Sequence, residues 1–179
     1  SFELQNSNLI KLGFWPGGDR DGNPFVTAAV TKEVANELRM TLMKCYYKDI
    51  KALETHLTFR LVKDDLMGLK DKIYESMFSR ESVLHHDEIL GHLFRIRKQV
   101  TDNYSDLYLE ELDRMIDKVQ IFKSHFASID IRQDHSVHIK CINAIIAQNN
   151  WSDKNFEDLS QEEQLNILSK ETLLNEDHY

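Results

Sequence analysis

Apolar residues recur at steps of three or four along most of the chain, which is the pattern of helices with one buried face. The longest series starts after Thr27 and runs to Leu57 without a glycine or proline, so it predicts a long amphipathic helix. Thr27 suits the N-cap because its hydroxyl can accept a backbone hydrogen bond. Arg39, Lys44 and Lys48 are expected on or near the solvent face of this helix.

The same period predicts five further helices. Asp64 and Asp65 are expected to cap the second, and Gly68 weakens it slightly because glycine is a poor helix former. The remaining helices are expected from about Asp87 to Val100, from about Ser105 to about Lys123, from Asp134 through Ile146, and from about Ser160.

Two short stretches, Leu9 to Trp15 and Ala127 to Arg132, alternate between faces as strands do. On the second stretch Asp130 and Arg132 share a face. If that face looks into a core, the two charges must be paired or serve a ligand, because an unpaired buried charge is costly. The sequence therefore predicts a mainly α fold, with one or two short strands, in a single domain over residues 1–179.

A loop rich in glycine and proline joins the first strand to the long helix. Residues 14–24 contain three of the six glycines and both prolines. Prolines fix φ and glycines allow close approach of other groups, so such a loop holds one shape. The loop also carries Asp19, Arg20 and Asp21. Two interpretations stay open, a tight strand-to-helix turn and a loop that forms a site.

Several functional classes do not fit this sequence. A phosphate-binding P-loop needs Lys and a hydroxyl residue where Asn23 and Pro24 stand, and an EF-hand needs Gly at Pro24 and Glu at Val30. The net charge of -8 argues against nucleic acid as a partner, because its phosphates would be repelled. No apolar run reaches membrane-spanning length, and no signal-peptide pattern occurs.

The two cysteines, Cys45 and Cys141, lie far apart and lack the spacing of metal ligands. We therefore expect them to be reduced, buried thiols in a cytoplasmic protein. The chain also lacks an initiator Met and opens directly on a strand-like run, so we expect it to be a fragment of a longer protein.

The eight histidines raise the question of a metal site. His85 and His86 are adjacent, so on a helix they cannot share a face, whereas His135 and His138 can. Further ligands at convergent spacing are not evident in the sequence. We therefore expect no metal ligands in this chain.

Two motifs carry a family resemblance. Trp15 to Pro24, W-P-G-G-D-R-D-G-N-P, with Val26 and Thr27, closely resembles the W-M-G-G-D-R-D-G-N-P-x-V-T signature of phosphoenolpyruvate carboxylases. Ile129 to His138, I-D-I-R-Q-D-H-S-V-H, resembles the later L-D-I-R-Q-E-S-x-x-H of that family. The departures are Pro16 for Met, Asp134 for Glu and His135 for Ser.

The resemblance implies a fold and an activity. Enzymes of this family carboxylate phosphoenolpyruvate with bicarbonate, giving oxaloacetate and phosphate, and they need Mg²⁺ or Mn²⁺. Their parallel barrel is elaborated by helices, so this chain would be a mainly helical part of that barrel. The implied partners are phosphoenolpyruvate, bicarbonate and the remainder of the parent chain, with a homo-oligomeric full-length enzyme and no nucleic acid or membrane.

The resemblance also implies roles for individual residues. Arg132 matches an arginine that contacts the phosphate of the substrate, and its guanidinium suits a catalytic role in stabilising the moving phosphoryl group. Trp15 matches a tryptophan in an apolar pocket beside the substrate methylene carbon. His138 matches the motif histidine, for which we expect a supporting hydrogen bond. The residues assigned to shaping the site are Asp19, Arg20, Asp21, Asp130 and His138.

The family's catalytic histidine belongs to a T-A-H-P-T segment that has no counterpart here, and its metal ligands and Gly-rich arginine loop are also missing. We therefore expect the fragment to supply one wall of the active site and to be inactive alone. One alternative is a non-enzymatic helical interaction module descended from the carboxylase. Another is an unrelated metal-dependent hydrolase that uses Asp134, His135 and His138.

Overall fold

The computed structural model describes residues 11–79 and 84–170, and the chain forms two compact units. Unit 1 consists of Ser1–Asp19 and Pro24–Ile131, and unit 2 consists of Arg20–Asn23 and Arg132–Tyr179. The predicted mainly α fold with two short strands is confirmed. The assignment of all 179 residues to a single domain stays a prediction.

Four helices make up most of the described part of unit 1. They are α1 (Ala28–His56), α2 (Arg60–Phe78), α3 (His86–Tyr104) and α4 (Leu109–Phe122). Each packs on the next in chain order and α4 returns to α1, which closes a bundle. The apolar faces of the four helices meet in the centre of this bundle. Fully buried side chains there include those of Met43, Ile73, Leu93 and Leu112.

The start of α1 is as predicted, and that of α2 is not. The hydroxyl of Thr27 accepts a hydrogen bond from the Val30 backbone at 3.3 Å. The prediction that Asp64 and Asp65 cap α2 is wrong, because the helix already begins at Arg60 and both residues lie inside it. Its N-cap, Phe59, makes no side-chain capping bond and stacks on Tyr104 with 4.1 Å between ring centres. Tertiary packing therefore sets this boundary.

Arg39 of α1 is buried, contrary to the expectation that it faces solvent. Its Nη1 donates to the backbone oxygen of Ser76 at 2.8 Å, and its Nη2 donates to that of Ser79 at 2.9 Å. Both oxygens belong to the C-terminal end of α2, where helix carbonyls lack intrahelical partners and favour a positive charge. Arg39 therefore ties α1 to the end of α2, while Lys44 and Lys48 are exposed as expected.

The cysteines differ from the expectation in their burial. No disulfide joins Cys45 to Cys141, and Cys45 is exposed while Cys141 is only half-buried. The prediction of buried thiols is wrong because the neighbours of Cys45 on α1, Met43 and Tyr46, fill the core in its place. Among the described residues, no helix combines the length and the apolar character needed to cross a membrane.

Gly68→Ala is expected to raise the free energy of unfolding by about 0.5–1 kcal/mol, because alanine loses less backbone entropy than glycine in a helix. Gly68 is exposed within α2, and an added Cβ would meet no atom within 4 Å. Urea unfolding followed by circular dichroism measures the change. A loss of stability would contradict the unobstructed geometry at this position.

The two strands pair with each other in parallel. They are β1 (Gly13–Phe14) and β2 (Ser128–Ile129), with Gly13 opposite Ser128. The backbone of Asp130 donates to the Phe14 oxygen at 3.0 Å and continues the ladder. Both strands lie within the predicted stretches but are shorter, and the first two residues of the predicted Leu9 to Trp15 strand fall outside the described residues.

Unit 2 contains α5 (His135–Asn149), a short 3₁₀ helix (Phe156–Asp158) and α6 (Gln161–Leu168). The predicted starts are confirmed, since Asp134 caps α5 and Ser160 forms a reciprocal capping box with Glu163. A small apolar cluster holds these elements together through Ile146, Leu159, Ile167 and the flanking Ile142, Trp151 and Phe156.

Candidate functional site

The two sequence motifs begin at the carboxyl ends of adjacent parallel strands. Trp15 directly follows β1, and Asp130 directly follows β2. Parallel pairing brings both carboxyl ends to one edge of the sheet, which is where active-site residues lie in parallel α/β barrels. The Trp15 side chain is 51% exposed there, and Asp130 is exposed as well. The structure therefore brings these two predicted site residues to one edge.

The two glycines that follow Pro16 allow the loop to pack closely against the end of β2. The Gly18 backbone donates to the Trp15 oxygen at 3.0 Å and closes a tight turn, in which Gly17 has φ of +80°. A Cβ on Gly18 would stand 2.0 Å from the backbone oxygen of Asp130, so only glycine fits this approach. The Thr31 hydroxyl donates to the Gly17 oxygen at 2.7 Å and fixes the turn from α1.

Sequence reasoning missed two residues that support this loop, Thr31 and Val34. A Cβ on Gly17 would lie 2.7 Å from Cγ2 of Val34, so that side chain forms the floor under the turn. Thr31 and Val34 lie four and seven residues after the N-cap Thr27, and therefore on one face of α1. That spacing is the signal that could have identified them.

Asp19 is half-buried at the end of the glycine turn. Its Oδ1 is buried and accepts no hydrogen bond from any side chain or backbone within residues 11–79 and 84–170. Buried polar atoms are nearly always hydrogen-bonded, so this exception needs an explanation. A site role would supply one, and the site role of Asp19 stays a prediction.

In unit 2, a backbone hydrogen bond and an ion pair join the first motif to the second. The Arg20 backbone donates to the Arg132 oxygen at 2.8 Å, and Nη2 of Arg132 lies 3.5 Å from Oδ2 of Asp21. About half of each side chain in the pair is exposed, so the attraction is weak and the guanidinium stays accessible to a ligand. The structure thus brings together Arg20, Asp21 and Arg132.

The end of the second motif forms the start of α5. Asp134 accepts from the Ser136 backbone at 2.9 Å, and the hydrogen bonds from the Ser136 side chain and backbone lower the pKa of its carboxyl group. His138 is exposed one turn further along, and the supporting hydrogen bond expected of it stays a prediction. The described residues do not place ligand atoms of Asp134, His135 and His138 together as a metal group, so the hydrolase alternative gains no support.

The predicted site residues do not by themselves fit a divalent cation. Within the described parts of the chain, no three carboxylate or imidazole ligand atoms converge at the glycine loop or at the strand ends. A cation at the sheet edge of unit 1 would need ligands beyond Asp19 and Asp130.

Comparison with known proteins agrees with the motifs. A family model described as phosphoenolpyruvate carboxylase matches residues 2–81 and 63–177. The phosphoenolpyruvate carboxylase of Shewanella loihica is 29% identical over 159 residues, which cover 72% of this chain and 18% of that protein. That of Phaseolus vulgaris is 35% identical over 98 residues, covering 55% of this chain and 9% of the relative. The chain thus spans less than a fifth of the length of these two relatives.

Proposed function

Because the chain belongs to the phosphoenolpyruvate carboxylase family, we propose that it supplies one wall of an active site that carboxylates phosphoenolpyruvate with bicarbonate, giving oxaloacetate and phosphate. The observation that carries this proposal is the parallel pairing of β1 and β2, which starts both motifs at one sheet edge. Since the chain matches only a small part of the length of its relatives, we propose that the 179-residue polypeptide alone does not catalyse the reaction. The complete enzyme is proposed to act in the cytoplasm as a homo-oligomer.

Arg132 is proposed to bind the phosphate group of phosphoenolpyruvate. Its guanidinium is permanently charged and carries donors in a planar fork that matches two phosphate oxygens. The ion pair with Asp21 restricts where this guanidinium points without burying it. As the phosphoryl group moves to bicarbonate, a fixed positive charge at that position stabilises the transition state more than the ground state.

Trp15 is proposed to give the site an apolar surface beside the methylene carbon of the substrate. The indole is half exposed at the end of β1, on a backbone held by the turn to Gly18. An aromatic face in this position excludes water from the site. The exclusion protects the carboxyphosphate intermediate from hydrolysis until its carboxyl group is transferred to the methylene carbon of the enolate. Asp19 and Asp130 of unit 1 are likewise proposed to shape the site, as are Arg20 and His138 of unit 2.

A divalent cation, Mg²⁺ or Mn²⁺, is proposed to be held by parent segments outside this chain, because the site residues described above do not form a ligand set. When bound, the cation supplies charge stabilisation to the substrate oxygens. The residues of this chain then act by binding phosphate, orienting the substrate and excluding water.

Arg132→Gln in the complete carboxylase is expected to lower kcat/KM by about 100-fold or more, because removing one charged donor from a transition-state site typically has that effect. The same variant of the 179-residue chain should lose phosphoenolpyruvate binding measured by calorimetry. Arg114→Gln is the matched control, since Arg114 is an exposed arginine of α4 paired with Glu110.

Two outcomes would contradict the proposal. One is a kcat/KM of the Arg132→Gln enzyme within twofold of the parent, which would favour a helical interaction module with Arg132 as a structural ion pair. The other is bicarbonate-dependent phosphate release by the 179-residue chain alone, which would show that this chain holds more than one wall.

A further inference from the structure

Three potential metal ligands converge where α3 begins. His85 is the N-cap residue, with extended backbone angles of φ -76° and ψ 146°, and it therefore stands outside the helix that begins at His86. This geometry lets the two rings approach to 4.2 Å between centres, although adjacent histidines within a helix would point apart. The expectation that His85 and His86 cannot share a face holds only within a helix and does not apply here, because α3 starts between them.

The carboxylate of Asp87 lies against both imidazoles. Nδ1 of His85 is 3.0 Å from Oδ2 of Asp87, and Nε2 of His86 is 3.5 Å from Oδ1. One ligand atom from each residue lies within 4.8 Å of the other two. Around a tetrahedral zinc ion with bonds near 2.0 Å, ligand atoms lie about 3.3 Å apart, so small side-chain rotations would bring all three into position.

The three side chains are accessible to solvent, and the His85 side chain is not used to cap the helix. Their exposed fractions are 60% for His85, 21% for His86 and 75% for Asp87, which leaves a path for a hydrated ion. The His85 side chain makes no capping hydrogen bond, so it can turn toward an ion without releasing the helix end.

We propose that His85, His86 and Asp87 bind one divalent transition-metal ion of the zinc type, with water in the remaining coordination positions. Two imidazoles and one carboxylate suit zinc, nickel or copper, whereas magnesium prefers oxygen ligands. None of the three residues belongs to the glycine loop of residues 14–24. The metal site does not depend on the proposed function.

Two neighbouring residues affect the expected affinity of the site for a metal ion. Lys123 and His125 lie close enough to act electrostatically on His86. An ion held beside His86 is repelled by the charge of Lys123, and the start of α3 adds the positive end of the helix dipole. The binding is therefore expected to be reversible, and Lys123→Gln is expected to tighten it several-fold.

Titration calorimetry of Zn²⁺ into the chelator-treated 179-residue chain is expected to show one site, which Mg²⁺ in excess does not block. His86→Gln and Asp87→Asn should each weaken that site by tenfold or more while the helical circular dichroism signal stays unchanged. His135→Gln is the control, because His135 lies 3.8 Å from Asp134 and offers a carboxylate with a single imidazole.

The proposal is overturned if Zn²⁺ fails to bind, if both His86→Gln and Asp87→Asn bind as the parent does, or if His135→Gln abolishes the site instead. Weaker binding by Lys123→Gln would likewise contradict the placement of the ion beside His86. Loss confined to the His86 and Asp87 variants, with tighter binding by Lys123→Gln, supports it.

Discussion

Gly18→Ala is expected to unseat the glycine loop and to lower the free energy of unfolding by about 3 kcal/mol, at the upper end of the costs of overpacking. The added Cβ would stand 2.0 Å from the backbone oxygen of Asp130 and 2.9 Å from its carbonyl carbon. A side chain can rotate away from such a clash, but the backbone beside β2 can yield only by moving the strand end. Urea unfolding of the parent and the variant measures the cost.

Gly22→Ala is the matched control within the same sequence motif. Gly22 has positive φ, at +71°, which Gly18 does not, and a Cβ on Gly22 would meet no atom within 4 Å. Its cost is therefore limited to the backbone preference of alanine, about 1–2 kcal/mol. Because φ of Gly18 lies outside the left-handed region, a loss in Gly18→Ala no larger than that in Gly22→Ala would contradict the close approach to Asp130 as the reason for glycine at position 18.

Gly18→Ala has a functional consequence as well. In the complete carboxylase, movement of the turn would displace Trp15, whose oxygen is hydrogen-bonded to the Gly18 backbone. We expect activity to fall more in the Gly18→Ala enzyme than in the Gly22→Ala enzyme, even at temperatures where both are fully folded.

Arg39→Met is expected to lower the free energy of unfolding by about 3 kcal/mol. Hydrogen bonds from charged groups contribute about 1.5–3 kcal/mol each, and their loss leaves buried carbonyl oxygens without a donor. Methionine preserves the apolar length of the side chain but cannot donate to the oxygens of Ser76 and Ser79. Arg39 is only 4% exposed, so water cannot readily take its place. Chemical unfolding followed by helical circular dichroism gives the measurement.

Lys44→Met provides the comparison for Arg39, since Lys44 is an exposed basic residue on the same helix. Its removal should change the free energy of unfolding by less than about 0.5 kcal/mol. If the Arg39 and Lys44 variants lose equal stability, the hydrogen bonds from Arg39 to the end of α2 contribute no more to stability than any positive charge on α1 does.

The features that sequence predicted correctly depend on neighbours along the chain. Thr27, Asp134 and Ser160 each cap a helix through a group two or three residues away. The identity and position of each residue are therefore enough to predict the cap. The start of α2 and the burial of Arg39 depend on Tyr104, Ser76 and other distant groups. Such contacts are set by tertiary packing and leave no local signal.

The same distinction applies to the candidate site. The two motifs could be found in the sequence because their residue types stand in a fixed order around Trp15 and Arg132. That β1 pairs with β2, and that Gly18 rests on Asp130, follows from the path of the chain through four helices. The pairing of Asp21 with Arg132 was foreseen only in general terms, as charges that shape a wall.

The pairing of β1 with β2 also constrains the order in which unit 1 folds. Its partners stand at positions 13–14 and 128–129, so forming the ladder from an extended chain would close a very long loop at a high entropic cost. The four helices between them make mostly neighbour-to-neighbour contacts, and Tyr46 of α1 bonds to the Lys123 oxygen just after α4 at 2.8 Å. Once the bundle has formed, the strands are held near each other and the effective loop is short. The strand ladder is thus expected to be the last part of unit 1 to assemble, after the helices have brought the two strands together.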